Sequence, residues 1–201
     1  MIRAGLPLAL QGMRVGLLGG SFDPPHEGHV TITEAAMRAF RLDGVWWLVS
    51  PGNPLKAHGP APIGQRIAQA RQMLTDPRVV VTDIEQRVGT RKTADTVAAL
   101  GHLYPAVRFV WLMGSDNLQQ FHHWDRWREI AAAVPIGVMA RPGSRLAARH
   151  SIAARVLRPW RLPLAQAGTL AMRHPPAWVQ VNLPMSRQSS TALRMAAGAR
   201  R

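Results

Sequence analysis

Two histidines that follow a pair of glycines are the residues of this 201-residue chain best placed to do chemistry. His26 and His29 come after Gly19 and Gly20 in the segment GGSFDPPHEGH. In the first turn of a helix this spacing puts both imidazoles on one face, beside backbone N–H groups that the helix start leaves free. Glycines let an anion approach the backbone closely. The pattern therefore predicts a phosphate site at which two imidazoles stabilise developing charge, with no side-chain nucleophile.

Two other interpretations of these residues stay open on the sequence alone. A glycine pair after a strand is often only a turn, and two histidines at this spacing are often structural or exposed. Asp23, His26 and His29 also carry the side-chain types that bind zinc. The chain contains no Cys, which excludes thiolate metal sites and disulfides and is compatible with a reducing compartment.

The elements around this motif alternate between short apolar strands and helices. Apolar runs bounded by turn residues predict strands over 14–19, 44–50, 79–82, 108–113, 136–140 and 178–181. Helical spacing and start signals predict helices over about 25–41, 63–74, 93–103, 126–133, 144–158 and 190–197, with 159–177 irregular. This alternation predicts the α/β class, as a Rossmann-like doubly wound parallel sheet with helices on both faces. In such a sheet ligands bind beyond the carboxyl ends of the strands, where the two histidines would lie.

Positive charge is concentrated in the last third of the chain. The 25 basic residues exceed the 11 acidic ones by 14, and the last carboxylate side chain is Glu129. Residues 130–201 hold 11 arginines and no acid. Such a segment suits nucleic acid, an anionic membrane surface or a phosphorylated substrate, and charge alone does not choose among them. Because basic and aromatic residues do not interleave regularly and no nucleic-acid motif is recognisable, we expect no nucleic-acid partner.

We also expect no membrane partner. No apolar run approaches the roughly 18 residues of a membrane span, and the opening MIRAGLPLALQG is too short and interrupted for a signal peptide. The sequence therefore predicts a soluble, cytoplasmic protein. Whether it forms a homo-oligomer is left open.

The motif around the histidines is part of a longer pattern. GGSFDPPHEGH, residues 19–29, resembles the GGxFDPxHxGH signature of nicotinate-nucleotide adenylyltransferases, members of the nucleotidyltransferase superfamily marked by (H/T)xGH. Residues 189–194 (SSTALR) are similar to the family's SSTxIR. Weaker matches lie between them: NPLK with Lys56, TADT at 93–96, and GSDNLQQFHHW at 114–124, similar to GxDxxxxFxxW. The matches cover about residues 14–141 and 178–195, in the family's order.

The resemblance implies a single nucleotidyltransferase domain over 1–201 and a reaction for it. The adenylyl group of ATP would pass to the phosphate of nicotinate mononucleotide, giving nicotinate adenine dinucleotide (deamido-NAD) and pyrophosphate in NAD biosynthesis, with Mg2+ required. No acidic cluster is evident in the sequence, so Mg2+ is expected to arrive with the ATP phosphates. The domain would carry an N-terminal extension (1–13), a poorly matched Arg-rich segment (143–176) and a C-terminal phosphate-binding helix (189–199).

The resemblance also assigns roles to single residues. His26 and His29 would neutralise the α-phosphate during in-line attack. ATP and its phosphates would be bound by Gly19, Gly20, Ser21, Phe22, Lys56, Ser189, Ser190, Thr191 and Arg194, where Ser190 and Thr191 cap the last helix and Arg194 holds the leaving pyrophosphate. The mononucleotide would be bound by Asp23, Thr93, Asp116 and Trp124, with Asp116 accepting from a ribose hydroxyl, Trp124 stacking on the pyridine ring and Thr93 at the nicotinate end. Asp116 has a helix cap as its alternative role, and without the resemblance a tryptophan in the position of Trp124 is more often a core residue than a ligand platform.

Two classes of alternative remain at this point. The same phosphate chemistry serves an adenylyltransferase for nicotinamide mononucleotide, phosphopantetheine or FMN, and acid or amide preference cannot be read from side chains because backbone donors decide it. The second class is a basic nucleic-acid-binding protein, motivated by the arginines of 130–201. One departure from the family pattern is Gln188, which stands before the Ser-Ser-Thr where an apolar residue is usual. The arginines of 141–161 have no assigned partner.

Overall fold

The computed structural model describes residues 5–52, 59–140 and 145–183. Within those ranges one parallel sheet of six strands forms the centre of the fold. Its strands are β1 (Arg14–Gly20), β2 (Gly44–Val49), β3 (Val79–Thr82), β4 (Arg108–Gly114), β5 (Ile136–Ala140) and β6 (Trp178–Asn182). Their order across the sheet is β3-β2-β1-β4-β5-β6. This is the strand order of a doubly wound Rossmann sheet, which confirms the predicted fold class.

Helices connect the strands. They are α1 (Glu27–Phe40), α2 (Ile63–Gln72), α3 (Ile84–Arg87), α4 (Thr93–Leu103), α5 (Ser115–Gln120), α6 (Trp127–Ala133), α7 (Arg145–Arg149) and α8 (Ile152–Val156), with 3₁₀ helices at Phe121–His123, Arg158–Trp160 and Leu164–Met172. The predicted helices over 25–41, 63–74, 93–103 and 126–133 are confirmed within about two residues at each end. The short α3 and α5 were not predicted, since one turn or so carries no apolar period.

Both faces of the sheet are buried, and strand alternation explains why the strands read as continuous apolar runs. Trp46 and Leu48 of β2 pack in one core with α4, α6 and α8, whereas Val45, Trp47 and Val49 pack in the other with α1 and the 3₁₀ helix Leu164–Met172. Successive side chains of a strand point to opposite faces, so a sheet covered on both sides needs apolar residues at every position.

The Arg-rich region differs from its prediction. The single helix expected over 144–158 is interrupted, because Ser151 starts a new helix by accepting a hydrogen bond from the Ala154 N–H at 3.2 Å. The stretch 159–177, expected to be irregular, contains a 3₁₀ helix that buries Ala167, Leu170 and Ala171. The helix predicted over 190–197 lies outside the described residues. Among the helices of the described ranges, none has both the length and the apolar content to span a membrane.

The sheet has its switch point between β1 and β4. β1 is paired with β2 on one side and with β4 on the other, and the chain leaves β1 and β4 in opposite directions across the sheet. A crevice therefore opens outside the carboxyl ends of these two strands, which is where open α/β sheets bind ligands.

Candidate active site

The two histidines lie at this crevice, at the start of α1. His26 is the residue that caps the helix, one position earlier than the first-turn location predicted from the sequence. Its Nδ1 accepts a hydrogen bond from the Gly28 N–H at 3.1 Å, and Nδ1 of His29 accepts from the N–H of His26 at 3.2 Å. The two imidazoles thus form a reciprocal capping box, in which side chains satisfy N–H groups of the first turn. Their ring centroids are 3.9 Å apart, so the pair is brought together as predicted.

The capping box also fixes which nitrogen of each ring carries a proton. A ring nitrogen that accepts an N–H bond is unprotonated, so in the neutral ring the proton is on Nε2. His26 is 4% exposed and His29 is half-buried. Each imidazole is therefore held in the tautomer that offers an Nε2–H donor, which is what stabilisation of a phosphoryl oxygen requires.

An aromatic cluster of Phe22 and Trp47 packs against the imidazole of His29. Phe22 stacks on Trp47 with centroids 4.8 Å apart and lies 4.7 Å from the imidazole of His29. The indole N–H of Trp47 donates to Thr33 Oγ1 at 2.7 Å, and that hydroxyl donates to the His29 carbonyl at 2.8 Å. Phe22 has φ of +48° and is 1% exposed, a left-handed conformation that costs roughly 1–3 kcal/mol and persists where packing enforces it. Its side chain therefore positions His29, and only its backbone remains to meet a ligand.

A buried arginine, which the sequence analysis missed, ties the loops at this edge together. Arg66 of α2 is 1% exposed; its Nη1 donates to the Ser21 carbonyl at 2.5 Å and to the Ser50 carbonyl at 2.9 Å, and its Nε donates to the Ala61 carbonyl at 2.6 Å. Burial lowers the pKa of Arg66, while the charge of Asp23 raises it. The signal was available, because Arg66 lies on the apolar stripe of α2 at helical spacing from Ile63.

Asp116 lies at the same edge of the sheet, just after β4. It is exposed in the first turn of α5. A Cβ atom at Gly114 would collide with its carboxylate, so glycine at that position leaves room for Asp116 to fold back over the strand end. Since β4 is the neighbour of β1, the carboxylate shares the crevice with Gly20.

Ion pairs that the sequence did not predict join the segment that carries Thr93 to the segment that carries Trp124. Lys92 Nζ lies 3.3 Å from Asp125 Oδ2, and Arg126 contacts both Asp95 and Asp125. Thr93, the first residue of α4, and Trp124 are both half-buried. The indole meets Phe121 and Trp111 edge-on, at 5.4 and 6.3 Å between centroids, so Trp124 belongs partly to the core.

A buried carboxyl lies beside these residues. Glu85 is 7% exposed, and burial raises its pKa to about 7, although a 3.4 Å hydrogen bond from the Thr96 hydroxyl opposes this shift. The Thr96 hydroxyl is also 2.9 Å from that of Thr90. Glu85 lines a cleft of about 450 Å³ together with Arg66, Thr90 and Arg91. The sequence analysis did not single it out, since nothing in the local pattern marks it as buried.

The remaining candidates cannot be placed. Lys56, Ser189, Ser190, Thr191 and Arg194 lie outside the described residues, and so does Gln188. Within the described ranges, no group of three or more His, Asp or Glu side chains is arranged to hold a metal ion.

The class of protein to which the chain belongs follows from its similarity to a known family. Residues 17–196 match the cytidylyltransferase-like family. The Rossmann strand order and the histidine pair after β1 agree with a nucleotidyltransferase of that type.

Relatives of high sequence identity identify one family within this class of nucleotidyltransferases. The chain is 57% identical over 197 residues to a protein of Ruegeria pomeroyi, with 98% of this chain and 92% of that one covered. It is 62% identical over 182 residues to a protein of Cereibacter sphaeroides, with 90% and 97% covered. Both are described as probable nicotinate-nucleotide adenylyltransferases. The chain belongs to the nicotinate-nucleotide adenylyltransferase family.

Solved structures agree on the fold. Nicotinic acid mononucleotide adenylyltransferase of Plasmodium falciparum, complexed with NaAD, superimposes with a TM-score of 0.68 at 15% identity, covering 91% of this chain and 83% of that one. The same protein complexed with APC gives a TM-score of 0.66 at 14% identity over the same shares. At this identity the likeness concerns the fold.

Proposed function

We propose that this chain transfers the adenylyl group of ATP to the phosphate of nicotinate mononucleotide, giving nicotinate adenine dinucleotide and pyrophosphate in NAD biosynthesis. The observation that carries the proposal is the histidine capping box at the start of α1, at the switch point of the sheet. The names of the high-identity relatives support the same reaction.

The geometry suits in-line displacement at the α-phosphorus. An oxygen of the mononucleotide phosphate forms the new bond, the bond from the α-phosphorus to its bridging oxygen breaks, and pyrophosphate leaves with that electron pair. The attacking phosphate oxygen is already anionic, so no side chain has to remove a proton from it, and its direct attack on the α-phosphorus forms no covalent enzyme intermediate. His26 and His29 would donate from Nε2 to the α-phosphate oxygens, while the start of α1 adds its partial positive charge. Such a site works by positioning and electrostatic stabilisation.

The other substrate contacts are part of the proposal. Asp116 would accept a hydrogen bond from a ribose hydroxyl, and Thr93 would bind at the nicotinate end. Trp124 would stack on the pyridine ring with the part of its indole that does not contact Phe121 and Trp111. The phosphate roles of Lys56, Ser189, Ser190, Thr191 and Arg194 rest on the motifs of the sequence. Mg2+ would enter as the ATP complex, as a part of the substrate.

An acceptor comparison tests this function. The protein would be incubated with ATP, Mg2+ and, in turn, nicotinate mononucleotide, nicotinamide mononucleotide, phosphopantetheine and FMN, with pyrophosphate release as the readout. We expect the largest kcat/KM with nicotinate mononucleotide. A larger value with any other acceptor would replace the proposed substrate, and no turnover with any of them would contradict the reaction class. Location in the cytoplasm and assembly into a homo-oligomer stay predictions, for cell fractionation and light scattering to test.

A further inference from the structure

A cleft lined by arginines lies in the region that the proposed function does not use. It has a volume of about 600 Å³. Four of its lining residues are arginines and a fifth is histidine; the full lining is Arg149, His150, Ala154, Arg155, Arg158, Arg161 and Trp178. Arg149 ends α7, Arg155 lies in α8, Arg158 begins the 3₁₀ helix Arg158–Trp160 and Arg161 follows that helix.

The cleft is well separated from the histidine pair. Its floor, Trp178, begins β6 and pairs with Ile136, the first residue of β5, so it marks the amino edge of the sheet. The histidines follow the carboxyl end of β1, three strand positions away. Strands lie about 4.8 Å apart, and a five-residue strand is about 16 Å long, so the two places differ in both directions across the sheet.

The walls of the cleft are fixed by backbone and core contacts. The indole N–H of Trp178 donates to the Leu157 carbonyl at 2.8 Å, and the Leu162 N–H donates to the Trp178 carbonyl at 2.8 Å. The guanidinium of Arg161 lies 5.2 Å from the centre of the Trp178 ring. The arginine-bearing segment is therefore held against β6, and the cleft is preformed.

The charges of the cleft lack a counter-charge in the part of the chain that the structure describes. The ion pairs there all join residues between Arg14 and Glu129, and no carboxylate side chain follows Glu129 in the sequence. Partial burial and the neighbouring charge of Arg149 both lower the pKa of Arg161. Like charges held close together repel one another, and an anion bound among them relieves that repulsion.

We propose that this arginine cleft binds a linear polyphosphate group, either as inorganic polyphosphate or as the triphosphate of a nucleotide, at a site separate from the active site. Guanidinium forks bind phosphate oxygens in pairs, so four arginines that line one cleft match a ligand with several adjacent negative charges. Trp178 is 2% exposed, so the tryptophan that lines the cleft offers no face for a base to stack on, and we expect recognition through the phosphates. A compact cleft of this size favours a small anion over a nucleic-acid duplex.

Calorimetric titration with inorganic tripolyphosphate tests the proposal on the full chain. The active site is first disabled by His26→Ala and His29→Ala together with Lys56→Gln and Arg194→Gln, the charged and imidazole side chains assigned above to the ATP phosphates, so that binding outside the active site is measured. In that background we expect one tripolyphosphate per chain. Adding Arg155→Gln with Arg158→Gln, both exposed, should lower the affinity at least tenfold. The matched control Arg38→Gln with Arg108→Gln removes the same charge from other exposed positions and should lower it less than threefold.

Other outcomes would overturn the proposal. If binding is absent in the background that lacks His26, His29, Lys56 and Arg194, the anion binds only at the active site. An equal loss of tripolyphosphate affinity in Arg155→Gln with Arg158→Gln and in Arg38→Gln with Arg108→Gln would mean that net charge alone attracts the ligand. ATP, GTP and tripolyphosphate should bind with similar affinity, and a strong preference for one base would contradict base-independent recognition. Tighter binding of a 12-base-pair DNA duplex than of tripolyphosphate, lost in Arg155→Gln with Arg158→Gln, would identify a nucleic-acid site instead.

Discussion

At the scale of single residues, the two histidines cap a helix and carry the phosphate role in the proposed reaction. Their Nδ1 atoms cap α1, and their Nε2–H groups are the donors that the proposed reaction needs. Substitutions at His29 can separate these roles, because glutamine at the third helical position also completes a capping box whereas alanine does not.

Replacing His29 by alanine should lower kcat/KM for adenylyl transfer about 100-fold or more, the usual cost of removing one transition-state donor. It should also lower the free energy of unfolding by about 1 kcal/mol, because the His26 N–H loses the hydrogen bond that His29 Nδ1 accepts. His29→Gln should retain the stability of the native protein. Pyrophosphate release and urea unfolding measure the two effects. His102→Ala, at an exposed histidine of α4, is the control, and activity near normal in His29→Ala would remove His29 from the mechanism.

The buried carboxyl of Glu85 should make the free energy of unfolding depend on pH. Burial raises its pKa from an ordinary 4.5 to about 7, so between these values the folded state binds more protons than the unfolded state. The free energy of unfolding should therefore fall as pH rises from about 4.5 through 7, by at most about 3 kcal/mol. Beyond pH 8 this contribution should be constant.

Urea unfolding of Glu85→Gln between pH 5 and 8 measures this contribution. The neutral amide cannot ionise, so the variant should gain stability relative to the native protein as pH rises. Glu34→Gln, at an exposed glutamate of α1, is the control and should show no such gain. A constant difference between Glu85→Gln and the native protein would show that Glu85 does not ionise in this range.

At the scale of elements, the ion-pair network joins the start of α4 to the start of α6. Arg126 forms ion pairs with Asp95 of α4 and with Glu129 of α6. Its φ is +48°, a backbone conformation that favours glycine. Exposed ion pairs contribute little individually. Their value here is geometric, because they join the start of α4, which carries Thr93, to the segment that follows Trp124.

Arg126→Ala should therefore raise the KM for nicotinate mononucleotide several-fold and leave the KM for ATP unchanged. Arg126→Gly removes the same ion pairs without the backbone strain, so it should show the same KM change with a smaller loss of thermal stability. Steady-state kinetics with each substrate varied, together with thermal unfolding, distinguishes the two effects. Equal changes in both KM values would contradict a local role for the network.

The elements that the sequence predicted well are those with a strong local signal. β1, β2 and β4 are apolar on both faces, and α1 and α4 have clear starts, so pattern alone located them. The family motifs likewise marked His26 and His29. Arg66, Glu85 and the Arg126 network escaped prediction because their roles depend on long-range contacts, in which burial is decided by residues far away in the sequence. The break before Ser151 was missed because arginine and alanine both favour helix.

At the scale of the whole molecule, the net charge of +14 should draw anionic substrates toward the crevice. We expect kcat/KM for nicotinate mononucleotide to fall as ionic strength rises from 20 to about 300 mM, since the Debye length shortens from about 20 Å to below 8 Å. kcat itself should change little, because bound substrate is screened less. Steady-state kinetics in NaCl, repeated in an equal concentration of sucrose as a control, measures this. A kcat/KM independent of salt would show that the field does not steer the substrates.

The reciprocal cap of α1 has a consequence for how the protein would lose activity on heating. The first turn of a helix opens more readily than its middle, and local opening costs less free energy than global unfolding. The same imidazoles cap the first turn of α1 and carry the Nε2–H donors. If that turn unfolds locally, the donors lose their positions and activity is lost while the sheet stays folded. Thermal inactivation would then be reversible and begin below the melting temperature of the domain.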